Sequence, residues 1–121
     1  MTEPTVIELA EAVRSGERKA VEVLDEYLGR IAKDNERLNA FVHLDSDLAH
    51  AAAAKVDEAV ARGEDPGPLA GVPFGVKDEQ DVAGMPTTYG SVPFRDNVVA
   101  RDSTLIKWEV KLADCVLCGT D

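Results

Sequence analysis

The chain has 121 residues, enough for one domain that buries roughly two-thirds of its unfolded surface, and its 45% hydrophobic and 30% charged content is too apolar for a chain that stays disordered. Thirteen Lys and Arg against 23 Asp and Glu leave a formal charge of -10 and a pI near 4.6, which repels phosphate backbones and anionic lipid surfaces and excludes nucleic acid as a partner. The acidic start MTEPTVIELAEAV lacks the basic head and apolar run of a secretory signal, and no apolar stretch approaches the roughly 20 residues of a membrane span, so the expectation is a cytoplasmic protein without a membrane partner.

Thr5 followed by Glu8 has the S/T-x-x-E form of a capping box, and Ile7, Leu9, Ala10 and Val13 continue it as a short helix that stops at Ser15-Gly16. Val21, Leu24, Leu28 and Ile31 recur at spacings of three and four, which predicts a second amphipathic helix ending near Asn35. The short apolar run Ala40 to Leu44 reads as a strand or as an extended lead into the next element. From Ser46 to Arg62 the alanine-rich sequence, with Asp45 or Ser46 as cap and Gly63 as stop, predicts a third helix.

Composition changes at Glu64-Asp65-Pro66-Gly67-Pro68, which cannot continue a helix. The chain therefore divides into an N-terminal helical region, 1–63, and a second region, 64–121, that begins a sheet. Val72 to Val76 reads as a buried strand with Pro73 at its first residue, where a missing N–H is tolerated, and Lys77 closes it. Asp78 to Asp102 reads as a long ordered loop, a length that usually signals function. Ser103 or Thr104 would cap a further helix through Leu112, and Cys115 to Cys118 would form another strand. Alternating strand, helix and strand after Leu69 predicts an α/β fold in which N-terminal helices precede the first strands of a mixed sheet.

The two cysteines, Cys115 and Cys118, have C-x-x-C spacing, which raises a redox pair or half a zinc site. In a strand, residues three apart face opposite sides, no second C-x-x-C exists, and His43 and His50 lie far upstream without ligand spacing. Buried or idle thiols are the better reading, and neither metal nor cofactor is expected.

The most informative stretch is Gly67-Pro68-Leu69-Ala70-Gly71-Val72-Pro73-Phe74-Gly75-Val76-Lys77-Asp78, continued by Asp81-Val82-Ala83-Gly84-Met85-Pro86-Thr87-Thr88-Tyr89-Gly90-Ser91. It closely resembles the amidase signature family, whose G-P-L-x-G-V-P, V-K-D and G-x-P-T-T-x-G-S elements it carries in order; with Arg30-Ile31 and Leu38 to Phe41 the resemblance covers about residues 5 to 106. The resemblance implies a hydrolase of carboxamide C–N bonds using a Ser-cisSer-Lys triad, in which Lys77 would be the catalytic lysine and a small-molecule amide the substrate. The lysine accepts a proton, through a bridging serine in a cis peptide, from the serine that attacks the carbonyl.

A lysine at a strand's carboxyl end lies where α/β sheets keep their sites, but lowering its pKa from about 10.4 to about 7 costs about 4.6 kcal/mol, which only burial or nearby positive potential can supply. The competing reading pairs Lys77 with Asp78 or Glu79 as an ordinary charged strand end. Thr87, Thr88 and Ser91 invite a Ser-Lys reading of their own, yet Gly84 and Pro86 shape a turn whose hydroxyls can satisfy loop backbone, so this loop reads as support beside the site.

The family's serine- and glycine-rich segment, which supplies both serines and the oxyanion amides, is absent from the 121 residues, and the resemblance fades between Lys107 and Asp121, where Asp114 and Cys115 stand in place of a small apolar turn. The resemblance therefore implies an incomplete amidase-signature fold, an N-terminal fragment inactive alone, with self-association expected because strand edges and apolar faces would lie uncovered. Two alternatives stand beside it: a noncatalytic acidic protein-binding module on an amidase-like framework, and a fragment of a glutamine-dependent amidotransferase subunit. A G-G-S-S-G-type segment encoded past Asp121 would favour the enzyme, a stop codon the module.

Overall fold

The computed structural model describes residues 2–107 and 116–120. Helix α1, Val6–Arg14, opens on the capping box: the Glu8 N–H donates to Thr5 Oγ1 at 3.2 Å and the Thr5 N–H donates to Glu8 Oε2 at 2.7 Å. Leu9, Ala10 and Val13 are buried, whereas Ile7 is 67% exposed. At 100° per residue Ile7 lies roughly 110° round from the centre of the buried arc, so it is not part of the inward stripe the sequence pattern assigns it to.

Helix α2 spans Ala20–Leu38 and runs past Asn35 to a left-handed cap at Asn39, with φ 49°. Asn35 does not end the helix. Its side chain fastens the reversal that follows: Nδ2 donates to the Phe41 carbonyl at 3.0 Å and Oδ1 accepts the Phe41 N–H at 2.8 Å. The fully buried residues are Ala20, Val23 and Leu24, with Val21, Tyr27 and Leu28 packed partly against them, so the inward face is turned slightly from the expected stripe. The helix has no cap of its own, since Lys19 offers no acceptor. Asp57, on the next helix, supplies one: Oδ1 accepts the Ala20 N–H at 2.6 Å and Oδ2 the Val21 N–H at 3.2 Å. A cap of this kind contributes about 1 kcal/mol, and here it also fixes how the two helices cross.

Strand β1, His43–Leu44, leads into α3, Ser46–Ala61, whose N-cap Asp45 accepts the Leu48 N–H at 3.0 Å. Ala49 and Ala53 are fully buried, and such small side chains let α3 approach α2 closely. Strand β2, Pro73–Val76, begins at Pro73, the position that needs no donor. Strand β3, Val116–Thr120, lies between the other two in the order β1-β3-β2, antiparallel to β1 and parallel to β2, with an irregularity between Phe74 and Gly75. The sheet is thus mixed. A helical segment starts at residue 104 with the Ile106 N–H donating to Ser103 Oγ at 3.4 Å; the rest of the helix expected through Leu112, and Cys115, lie outside the described residues.

Two apolar clusters flank the chain leading into β2 and β2 itself. One joins α1, α2 and α3 to Ala70 and Val72, and the other gathers Val76, Val82, Met85 and Ile106 with Phe74 against them. Gly71, with φ 72°, stands at the tightest point of the first: a β-carbon there would lie 2.8 Å from Ala20 Cβ and 3.0 Å from Val13 Cγ1. No described helix is long and apolar enough to cross a membrane.

His50 on α3 ties that helix to α2. Its Nε2 lies 2.6 Å from Asp25 Oδ1 and its Nδ1 lies 2.7 Å from the Ser46 carbonyl, and only the doubly protonated ring can donate to both. The hydrogen bond to Asp25, helped by the Ser46 carbonyl, raises the His50 pKa above its ordinary 6.5, with Asp47 adding a further negative charge nearby. A raised folded-state pKa gives stability that is complete below the unfolded value and lost as pH rises through the folded one. Urea unfolding should therefore show stability falling as pH rises above about 6.5, by under about 1 kcal/mol for so exposed a pair, and Asp25→Asn should flatten that dependence.

Candidate active site

Lys77 leaves β2 directly, and its side chain is 76% exposed with Nζ 3.8 Å from Glu79 Oε2. Of the two acidic neighbours the sequence offers, Glu79 approaches the amine. Asp78 is engaged elsewhere. Its carboxylate is buried, accepting the Thr88 N–H at 2.7 Å through Oδ1 and the Thr88 hydroxyl through Oδ2, while its backbone carbonyl accepts the Tyr89 N–H at 3.0 Å. Three hydrogen bonds thus fasten residues 88 and 89 to the residue that follows Lys77.

The loop from Asp78 to Asp102 is ordered by its own pairing. The Gly84 N–H donates to the Val99 carbonyl at 2.9 Å and the Thr87 N–H to the Asn97 carbonyl at 3.0 Å, Pro86 bridges Val98, and the Asn97 side-chain amide returns a bond to the Thr87 carbonyl at 3.0 Å. A 3₁₀ turn, Val92–Phe94, closes the reversal. Val82 and Met85 anchor it in the second apolar cluster.

An open cleft of about 430 Å³ is lined by Val42, Lys77, Asp78, Glu79, Tyr89 and Gly90. Of the hydroxyls the sequence singles out, Thr88 serves Asp78 and, through Oγ1, the Gly90 N–H at 3.2 Å. Thr87 is buried with Oγ1 lacking a hydrogen-bond partner among the described residues. Ser91 lies outside the cleft lining, its N–H donating to the Thr88 carbonyl at 2.9 Å. The Thr88 hydroxyl is therefore committed to the Asp78 carboxylate and the Gly90 N–H rather than presented as a nucleophile. No group of three or more potential metal ligands occurs among the described residues.

Sequence reasoning misses two members of this site. It offers Asp78 only as a partner for Lys77; the T-T pair ten residues on is the available signal for its buried role. Tyr89 adopts a left-handed backbone, φ 54°, which nothing in its immediate sequence requires.

The Amidase family model matches residues 22–120. The chain belongs to the amidase signature family. The match starts later than the motif resemblance and extends through the segment where that resemblance fades. Among curated relatives, a glutamyl-tRNA(Gln) amidotransferase subunit from Streptomyces avermitilis is 44% identical over 115 residues, covering 95% of this chain and 23% of the relative. Among solved structures, a protein of a vestigial complex bearing on the origins of an s-triazine catabolic enzyme superimposes with a TM-score of 0.89 at 34% identity over 97% of this chain and 26% of its own. The peptide amidase of Stenotrophomonas maltophilia also gives 0.89, at 30% identity over 98% of this chain and 24% of its own. The chain thus spans about a quarter of the length of these family members.

Removing the Asp78 carboxylate leaves the Thr88 N–H and hydroxyl without their acceptor. Asp78→Ala should speed amide exchange at Thr88 by at least about tenfold, measured by hydrogen–deuterium exchange, while the α1 and α2 amides keep their protection.

Proposed function

We propose that the chain is the N-terminal part of a hydrolase that cleaves a carboxamide C–N bond by Ser-cisSer-Lys acyl transfer, with Lys77 as the catalytic lysine. The observation that carries this reading is the position of Lys77: it leaves a strand of the sheet at the mouth of a cleft, on backbone held by the Asp78–Thr88 clamp. In that chemistry a serine hydroxyl attacks the amide carbonyl, its proton passes through the bridging serine to the Lys77 amine, and the amine leaves as the acyl-serine forms. Both serines would come from sequence outside these 121 residues, as would the walls that bury Lys77. Neutralising an amine needs that burial, and here the side chain meets water and Glu79.

In this reading residues 1–63 form the helical support and 64–121 begin the α/β sheet of an incomplete amidase-signature fold. The two share one core, from Leu9 to Val72, so the division is one of role rather than of separately folding units. A cytoplasmic enzyme acting on a small-molecule amide without a cofactor completes the reading and fits the acidic composition.

A second reading is favoured by the 44% identity to an amidotransferase subunit: the same triad would release ammonia from a carboxamide for a partner protein to use. Capture of such a partner by the longer chain would separate the two. The 121-residue chain should show no turnover of a simple carboxamide. A longer product that carries the serine- and glycine-rich segment should hydrolyse it and lose roughly a thousandfold or more in kcat on Lys77→Ala. Turnover by the short chain that vanishes on Lys77→Ala would overturn the proposal.

The short chain also leaves apolar surface open. Val92, Phe94, Val98 and Leu105 are exposed, and a small apolar groove of about 190 Å³ is lined by Tyr27, Arg30 and Ile31 of α2, by Phe41, and by Pro73, Phe74 and Gly75 of β2. Self-association follows from covering such surface. Multi-angle light scattering should find a mass above that of a 13.0 kDa monomer, shifting with concentration; a compact monomer at all concentrations would refute this.

A further inference from the structure

Tyr89 is held in a conformation its side chain disfavours. With φ 54° it is one of two described non-glycine residues in the left-handed region. The other, Asn39, caps α2, where that conformation is customary and asparagine tolerates it. Tyr89 ends no helix, and a bulky residue there crowds its own backbone. The surroundings impose the conformation: the Tyr89 N–H is bound by the Asp78 carbonyl at 3.0 Å, and the Ser91 and Gly90 N–H groups return to Thr88 at 2.9 Å and 3.2 Å.

The ring gains little burial in exchange. It is 55% exposed and touches Phe94 edge-on, with centroids 5.6 Å apart and planes at 76°, and Phe94 is itself exposed. A glycine would adopt the same backbone without strain. What the tyrosine adds is a flat apolar face on the Lys77 cleft, whose other apolar lining residue is the exposed Val42, with Lys77 and Glu79 as the polar side chains open to solvent. Such an amphipathic cleft has room for a polar head at the lysine and a flat body against the ring. Strain of this kind, kept at an open site, points to a ligand contact.

Resting on the reading of Lys77 as the family's lysine, we propose that Tyr89 is the specificity-determining wall of this cleft, selecting carboxamides whose carbonyl carries a planar or apolar group. The amide lies toward Lys77, and the planar group lies along the Tyr89 ring, which Phe94 braces from its edge. Short aliphatic amides have nothing to lay against the ring and are held poorly.

The test uses the 121-residue chain and saturation-transfer NMR, which tolerates self-associated species, with benzamide and acetamide as probes. Benzamide should give saturable transfer and acetamide little. Tyr89→Phe should retain benzamide, and Tyr89→Gly should weaken it roughly fivefold, the value of one aromatic contact. At the same time Tyr89→Gly should raise the thermal unfolding midpoint by about 4 °C as the strain is relieved. Equal transfer to both probes, or unchanged benzamide affinity in Tyr89→Gly, would overturn the proposal. A Tyr89→Gly chain that unfolds below the parent would overturn it too, because the ring would then be a structural prop. The readout is binding rather than turnover, so its failure leaves the role of Lys77 standing and is distinct from a failure of the Lys77→Ala activity test.

Discussion

The chain can pass between α1 and α2 only because residue 71 has no side chain. Val13, at the end of α1, and Ala20, at the start of α2, close on that backbone from two sides, and a single β-carbon would meet both within 3.0 Å. Gly71 also takes a positive φ, so the position demands glycine for space and for conformation together. Two residues later Pro73 begins β2 and four residues after that the strand delivers Lys77. The placement of the lysine therefore inherits its precision from the helical core, through the five residues of chain between Gly71 and Lys77.

A second constraint acts from the other side. Asp78 could have neutralised Lys77; instead it is buried and spent on Thr88. The arrangement separates two jobs that adjacent residues might have shared. One carboxylate holds the loop, and the exposed Glu79 is left beside the amine. The clamp joins the end of β2 to the loop that carries Tyr89, so both sides of the cleft are tied by hydrogen bonds, a property useful to any site that must keep two groups in register.

Much of this is legible from local pattern. The capping box at Thr5, the cap at Asp45 and the strand start at Pro73 are all readable because each signal lies within four residues of the feature it specifies. Signals that act at a distance are not. The acceptor for the start of α2 sits 37 residues on at Asp57, so Lys19 looks like an uncapped beginning. Asn35 resembles a helix stop because its chemistry suits one, yet tertiary contact with Phe41 gives it another use. The motif around Lys77 names the family, while the division of labour between Asp78 and Glu79 depends on where a loop ten residues away folds back. The handedness of Tyr89 has no sequence signal, since tyrosine is among the residues least expected to take it.

The middle strand of the described sheet comes latest in the sequence of the three. β1 pairs through His43 with Thr120, and β2 finds its only described neighbour in the same segment, so neither of the earlier strands has a described partner until residues 116–120 have been added. The three helices, built from near neighbours, can assemble during synthesis at the ribosome; the sheet must wait. A growing chain of this sequence thus passes through a stage in which a helical platform is complete and two bare strands stand beside it, each able to accept whichever extended segment arrives first.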